Sequence, residues 1–145
     1  MRLSLSILSV SLALSACASP PATPSLEGTN WRLTSFQSGD DNVKPLQPAA
    51  PEAFTLSFGK DGRLAAKLDC NRGTGPWQAV AADATGGTLN LGPVATTRAM
   101  CPPDAIGARL LADLTALRTW RLEGNRLHMS LPADAGVYVW ERITP

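Results

Sequence analysis

The sequence has little excess charge and no long apolar run, and each shortage excludes a class of protein. Its 13 Lys and Arg residues are nearly balanced by 12 Asp and Glu residues, so we expect no basic surface of the kind that binds nucleic acid. The same balance excludes a strongly acidic, self-repelling disordered chain. The apolar stretch 3–14 would span only about 18 Å as a helix, short of the ~30 Å hydrocarbon core of a bilayer.

Residues for catalysis are also scarce. The single histidine, His128, lies in an alternating segment that predicts an outward, solvated position without a nucleophile beside it. The segment 72–75, Arg-Gly-Thr-Gly, lacks the lysine and the following helix of a phosphate-binding loop. Four aspartates are predicted at turns or strand ends, where Asp serves as a turn or cap residue: Asp61, Asp69, Asp83 and Asp104. We therefore expect no enzyme, no cofactor and no metal site.

The N-terminus has the form of an export signal that ends in a lipidation motif. Met1-Arg2 supplies a basic start, 3–14 is uncharged, and Leu14-Ser15-Ala16-Cys17 follows, a pattern typical of secretory signals. Leu-Ser-Ala-Cys resembles the bacterial lipobox, in which the cysteine receives a diacylglycerol before cleavage. An ordinary signal that happens to carry a cysteine is the alternative. We predict a signal peptide over 1–16 and lipidation of Cys17.

The mature chain is predicted to begin with a tether and to continue as one domain. Three prolines within 18–25 favour an extended segment, so we predict a lipidated tether over 17–25 and the domain over 26–145. Loss of Arg2 with the signal leaves 12 basic and 12 acidic residues, so lipid rather than a polybasic patch would hold the protein at the membrane. In enteric bacteria, Asp after the lipidated Cys retains a lipoprotein at the inner membrane. Ala18 stands there, and we expect the outer membrane, facing the periplasm.

Cys70 and Cys101 remain as an even pair. In the oxidising compartment outside the cytoplasm such a pair indicates a disulfide, here closing a loop of about thirty residues. A metal pair or a redox couple are the alternatives. A metal would need more ligands than one histidine adds, and both alternatives favour a Cys-x-x-Cys spacing that this sequence lacks.

Hydrophobic alternation predicts seven or eight short strands separated by turns. The strand-like segments are 31–36, 54–58, 64–68, 76–80, 88–91, 120–122, 127–131 and 137–140. In the first, Trp31, Leu33 and Ser35 are expected to share one face. The turns are expected at 61–62, 86–87, 124–125 and 132–136, with a surface loop over 39–51. So many short strands favour a closed or nearly closed antiparallel sheet.

One α-helix is predicted after Cys101-Pro102-Pro103. Asp104 is a suitable N-cap, and a stripe at helical spacing follows it: Ile106, Leu110, Leu114 and Leu117. Leu111 is expected to widen that apolar stripe. The fold class is therefore mainly β, a small antiparallel barrel-like sheet with one helix packed on it.

The order of these features resembles the META domain family, which includes HslJ-like bacterial envelope lipoproteins. The resemblance rests on Leu26-Glu27-Gly28-Thr29-Asn30-Trp31, on Phe54-Thr55-Leu56-Ser57-Phe58, on Asp69-Cys70-Asn71 and on Thr97-Arg98-Ala99-Met100-Cys101. The family commonly has Gly-Cys-Asn and Thr-x-Met-x-Cys, so Asp69 replaces the usual Gly and Ala99 the usual Met. The resemblance covers 26–142 and implies a compact barrel-like fold. It implies no catalytic chemistry, since members are loosely associated with stress, drug tolerance, motility or secretion.

Two functions remain open at this point. The first is a non-enzymatic envelope lipoprotein that acts in envelope maintenance or in stress and drug tolerance. The second is a binding or inhibitor module that presents a loop over 71–77 to a periplasmic protein or an apolar ligand. The candidate binding residues are Asn71, Arg72, Trp77 and Arg98, since Arg and Trp are enriched at interface hot spots, although Trp77 also fits a place in the core. We expect a monomer, attached to the membrane through its lipid and binding no nucleic acid.

Overall fold

The structure is a computed structural model that describes residues 22–144. The predicted signal peptide, the lipidation site Cys17 and tether residues 18–21 therefore lie outside the described residues. Within the described part, no helix combines the length and the apolar character needed to cross a membrane.

Eight antiparallel strands close into a barrel, and a ninth, very short strand pairs outside it. The strands are β1 (Thr29–Ser38), β2 (Phe54–Phe58), β3 (Arg63–Leu68), β4 (Asn71–Ala81), β5 (Gly86–Leu91), β6 (Ala95–Thr96), β7 (Thr119–Glu123), β8 (Arg126–Ser130) and β9 (Gly136–Ile143). Neighbours around the barrel run β1-β2-β3-β4-β5-β7-β8-β9, and β9 pairs back with β1. The two-residue β6 pairs with β4. The predicted fold class is confirmed.

Alternating side chains fill the barrel interior, with one shift in β1. Trp31 and Leu33 are buried as predicted, but Phe36 rather than Ser35 is the next core residue. The expectation for Ser35 was wrong because the β1–β9 register shifts between Leu33 and Ser35. Such a bulge places one extra residue in a strand and turns the following side chains to the other face.

The helix α1 (Ala105–Asp113) packs across one end of the barrel and continues as a 3₁₀ turn, Leu114–Ala116. The Asp104 carboxylate accepts hydrogen bonds from the backbone N–H groups of Ile106 and Gly107, at 2.9 and 3.2 Å, so the predicted cap is confirmed. The predicted stripe is also buried: Ile106, Leu110, Leu114 and Leu117. Leu111, however, is 47% exposed. It lies about 100° around the helix from Leu110 and so points away from the barrel.

A hydrogen bond and an ion pair, which share the Asp113 carboxylate, join the helix to the barrel end. The Tyr138 hydroxyl donates to Asp113 Oδ2 at 2.8 Å, and Arg109 Nε lies 3.2 Å from the same oxygen. The Arg109 guanidinium lies 4.1 Å from the centroid of the Phe36 ring, a cation–π distance. Burial, and then the bond to Asp113, raise the pKa of Tyr138 above its usual value.

The turn predicted at 86–87 is instead the start of β5. The chain reverses just before it, where Asp83 accepts hydrogen bonds from Thr85 and from the N–H of Gly86. These bonds, that of the Thr85 side chain first, lower the pKa of Asp83. The two glycines are needed for close packing, because a Cβ on Gly86 would collide with the Trp120 carbonyl and one on Gly87 with that of Val80. The hairpin turns predicted at 61–62 and 124–125 are confirmed.

The segment 71–77, expected as a loop, is the first part of strand β4. Arg72, Thr74 and Pro76 point outward there while the residues between them point inward. Two of the inward positions are glycines, so the alternation of hydrophobic and polar residues that would predict a strand is absent from this part of the sequence. In the fold they leave room for Val94, whose side chain lies against both Gly73 and Gly75.

Candidate functional site

A disulfide and one asparagine fix the segment 97–101 to the start of β4. Cys70 and Cys101 are bonded, with their Cα atoms 5.6 Å apart, so the predicted pairing is present. The distance lies within the 4.4–6.8 Å usual for disulfides. We call 97–101 the stapled segment.

The carboxamide of Asn71 makes the second attachment. Its Oδ1 accepts from the Thr97 hydroxyl at 2.9 Å and from the N–H of Ala99 at 2.7 Å. Its Nδ2 donates to the Ala99 carbonyl at 3.1 Å and lies 3.0 Å from Cys101 Sγ. The backbones of Arg72 and Thr97 also bond, with N···O 2.9 Å from Thr97 to Arg72. Asn71, expected to contact a ligand, is occupied in holding the chain.

Asp69 shows why its position in the motif suits glycine. Its φ is +61°, in the left-handed region that glycine enters without cost and that Asp and Asn tolerate better than most residues. The turn formed by Asp69 directs Cys70 toward Cys101. A residue with a left-handed backbone is therefore required immediately before the cysteine.

Around the stapled segment lies an exposed surface of mixed character. Met100 is fully exposed, and Leu111 of α1 is nearly half exposed. Arg72 and Arg98 are exposed and form no ion pair with any residue of 22–144. We call these four side chains the stapled surface. Between the stapled segment and α1 runs a cleft of about 240 Å³, with Leu111 in its wall.

The structure brings three of the four predicted binding residues together and leaves one apart. Asn71, Arg72 and Arg98 meet at the stapled segment, whereas Trp77 lies six residues along β4, up to about 20 Å away. Trp77 is 7% exposed, and its ring packs edge-on against Phe58 with centroids 5.0 Å apart. Its indole N–H donates to the Gly59 carbonyl at 3.2 Å. The alternative that placed Trp77 in the core is confirmed.

Sequence reasoning missed Met100 and Leu111 as surface features. Met100 was part of the motif, but nothing local distinguishes an exposed methionine from a core methionine. Leu111 fell beside an apolar helix stripe and was assigned to it. Only the docking of α1 shows which leucine faces the barrel.

The single histidine has one charged neighbour in the structure. His128 Nε2 lies 3.5 Å from Glu123 Oε2 on the outer face of the β7–β8 hairpin, and its side chain is 26% exposed. Across residues 22–144, no three His, Cys, Asp or Glu side chains are grouped as metal ligands would be.

The first described residues lie at the opposite end of the barrel from the stapled surface. Residues 22–24 line a cleft with 81–84, at the far end of β4 from Asn71. An eleven-residue strand spans up to about 33 Å. The chain toward Cys17 and the stapled surface are therefore separated by most of the length of the barrel.

Comparison with known proteins agrees with this architecture. The chain matches the META domain model over residues 24–142, and the curated proteins contain no match. A protein from Burkholderia xenovorans solved by NMR has a TM-score of 0.64 at 19% identity, covering 94% of this chain and all of the other. A DUF4847 family protein from Bacteroides vulgatus has a TM-score of 0.56 at 15% identity, covering 79% of this chain and 92% of its own. At these identities the likeness is one of fold. Since the matched span is most of its length, this chain belongs to the META domain family.

Proposed function

We propose that this chain is a non-enzymatic lipoprotein of the cell envelope, held at the outer membrane by lipid on Cys17. Its META domain would act by contacting a periplasmic protein through the stapled surface. The cellular role we propose is maintenance of the envelope, or tolerance of stress and drugs.

The observation that carries this proposal is the position of the first described residues relative to the stapled surface, at opposite ends of the barrel. The chain leaves the described domain beside 81–84, while the stapled surface lies at the start of β4. A domain anchored at its first end turns the other end away from the membrane, into the periplasm. Arg98 and Met100 would then stand where a soluble or peptidoglycan-side protein can reach them.

The chemistry of the stapled surface suits a protein partner. Two arginines without ion pairs among the described residues flank an exposed methionine and a half-exposed leucine. Arg and Met are enriched in protein interfaces, with apolar contacts at the centre and charges at the rim. Because the disulfide and Asn71 already hold the segment, little conformational freedom would be lost on binding. Two arginines that form no ion pair within residues 22–144 favour a partner with an acidic patch.

The polar groups of this region support binding rather than catalysis. The Asn71 carboxamide uses both its donor and its acceptor atoms on the stapled segment. The Asp104 carboxylate caps α1. A carboxamide does not serve as a general acid or base, and Oδ1 of Asp104 is already engaged by two backbone N–H groups of the helix.

The test is recovery of a partner from detergent-solubilised membranes. We expect a stoichiometric protein to co-purify with the wild-type chain and to bind the double variant Arg72→Glu, Arg98→Glu about a hundredfold more weakly, since each of the two lost contacts, at ~1.4 kcal/mol, costs tenfold in affinity. Arg126→Glu is the matched control, because Arg126 is exposed and forms no ion pair with the described residues but lies at the start of β8.

Two results would contradict the proposal. One is a partner lost equally from the Arg126→Glu control, which would indicate a non-specific charge effect. The other is a turnover activity of the purified protein that a single Asp or His substitution abolishes.

A further inference from the structure

We propose that the cleft at the tether end of the barrel holds one acyl chain of a membrane phospholipid. This inference rests on the proposed lipid anchor, because the anchor brings the cleft to the bilayer. It assigns a second binding site, at the opposite end of the barrel from the stapled surface.

The cleft lies at the barrel mouth that α1 does not cover. Segment 24–27 crosses this mouth just before β1 begins, and the β2–β3 turn at Gly62 and the end of β4 form its rim. The volume is about 330 Å³, near the lower limit of ~300–1,000 Å³ for small-molecule sites, which often occupy the mouths of β-barrels. This space suits one chain rather than a whole lipid.

The walls combine polar side chains with apolar ones, and the apolar ones include two tryptophans. Leu26, Trp77 and Trp120 are buried side chains that line the cleft, and Val80 stands beside them with 66% of its surface exposed. Val80 is thus a large apolar side chain left in water at the edge of the cleft, beside two tryptophans. An acyl chain would cover it, and removing apolar surface from water is favourable.

Charge at the cleft favours a ligand whose inserted part is uncharged. Glu27 is the one charged residue among those that line the cleft, and it is an anion. A free fatty acid would bring the carboxylate at the end of its chain toward this side chain, whereas in a phospholipid a neutral ester and the glycerol separate the chain from the charged phosphate. The cleft therefore favours a phospholipid chain over a free fatty acid.

The length of chain outside the described residues places the cleft close to the membrane. Four residues, 18–21, lie between Cys17 and Ala22, so the two are at most about 18 Å apart when the chain is extended. Ala22 itself lies beside 81–84, next to the cleft. Lipid on Cys17 would hold the barrel mouth at the level of the lipid headgroups, where tryptophan is enriched in membrane proteins.

The experiment measures tryptophan fluorescence of the full chain in vesicles whose phospholipid carries bromine on one acyl chain. Two of the four tryptophans line the cleft, so we expect quenching of up to about half the emission relative to unbrominated vesicles. Val80→Asp should abolish most of the quenching by placing a carboxylate at the rim. Val43→Asp is the matched control, because Val43 is also exposed, at 49%, and lies in the β1–β2 loop at the other end of the barrel.

Failure of the cleft proposal can be distinguished from failure of the proposed lipid anchor. Vesicle flotation reports anchoring, and micelles containing the same brominated phospholipid report the cleft even if the protein fails to float. Absence of quenching in both settings overturns the proposal, as does equal quenching in Val80→Asp and Val43→Asp. Quenching in micelles that is absent from the anchored protein means that the chain on Cys17 fills the cleft, which also overturns it.

Discussion

At the scale of single residues, Asn71 and Asp69 explain the motif around Cys70. Asp69 supplies a left-handed backbone, Cys70 a covalent bond, and Asn71 four polar contacts to a segment that follows 26–30 residues later. The three consecutive residues thus act together on one distant part of the chain. The motif is structural, and the exposed side chains it positions are Arg98 and Met100.

We expect Asn71→Asp to destabilise the domain by about 1–3 kcal/mol. The carboxylate keeps the acceptor toward Thr97 but loses the donor and faces the Ala99 carbonyl and Cys101 Sγ, both of which lack a proton to offer it. Urea unfolding measures the loss. Asn90→Asp is the control, since Asn90 is exposed on β5; a shift in the unfolding midpoint as large in Asn90→Asp would contradict the role of Asn71.

At the scale of elements, the disulfide and the Asn71 carboxamide together connect the start of β4 to the segment just before α1. Between β5 and α1 the chain runs through 92–104, where the two residues of β6 are the only strand. The disulfide and Asn71 therefore supply attachments that a longer strand would have made. They also position Asp104 to cap the helix that closes the barrel end.

Replacing both Cys70 and Cys101 by Ser should cost about 3.5–4 kcal/mol of stability, on the chain-entropy model for a separation of 31 residues. That is a large share of the ~5–15 kcal/mol that holds a domain folded. Urea unfolding of wild type, with and without a dithiol reductant, and of the double variant measures it. Reduced wild type and the variant should unfold at the same midpoint. If reduced wild type and the double variant both unfolded at the midpoint of oxidised wild type, the disulfide would not be stabilising.

At the scale of the whole molecule, the barrel has two ends with different surroundings. One end carries α1, the linked side chains of Arg109, Asp113 and Tyr138, and the stapled surface. The other carries the first described residues and a tryptophan-lined cleft. Anchoring at the second end would set one site at the bilayer and the other away from it. The two proposed binding events are then physically separate and can be disabled one at a time.

Replacement of Cys17 by Ser should release the protein from the membrane fraction, or leave it unprocessed with 1–16 attached, because the thiol is the proposed site of lipidation. Cell fractionation and intact mass measure the outcome. Ala18→Asp is the companion variant: it should stay membrane-bound and, in an enteric host, shift to the inner membrane. A Cys17→Ser protein that remains membrane-bound and normally processed would contradict the lipid anchor.

Much of the architecture was determined locally. The alternation of Phe54, Leu56 and Phe58 predicts a strand in any context, because the side-chain period of a strand is two, and Asp104 caps a helix through bonds to the next few residues. The pairing of Cys70 with Cys101 followed from parity and compartment. These features depend on neighbours in the chain or on simple counting.

The tertiary structure alone decided the rest. Phe36 replaces Ser35 in the core because the register of β1 with β9 shifts at a bulge. The segment 71–77 is a strand because it pairs with β3, with Val94 packed over its glycines. Leu111 is exposed because of how α1 docks. Each of these outcomes depends on a partner tens of residues away, which no local pattern encodes. The same holds for the position of the functional surfaces: only the closed barrel separates the chain toward Cys17 from Arg98 by the length of β4.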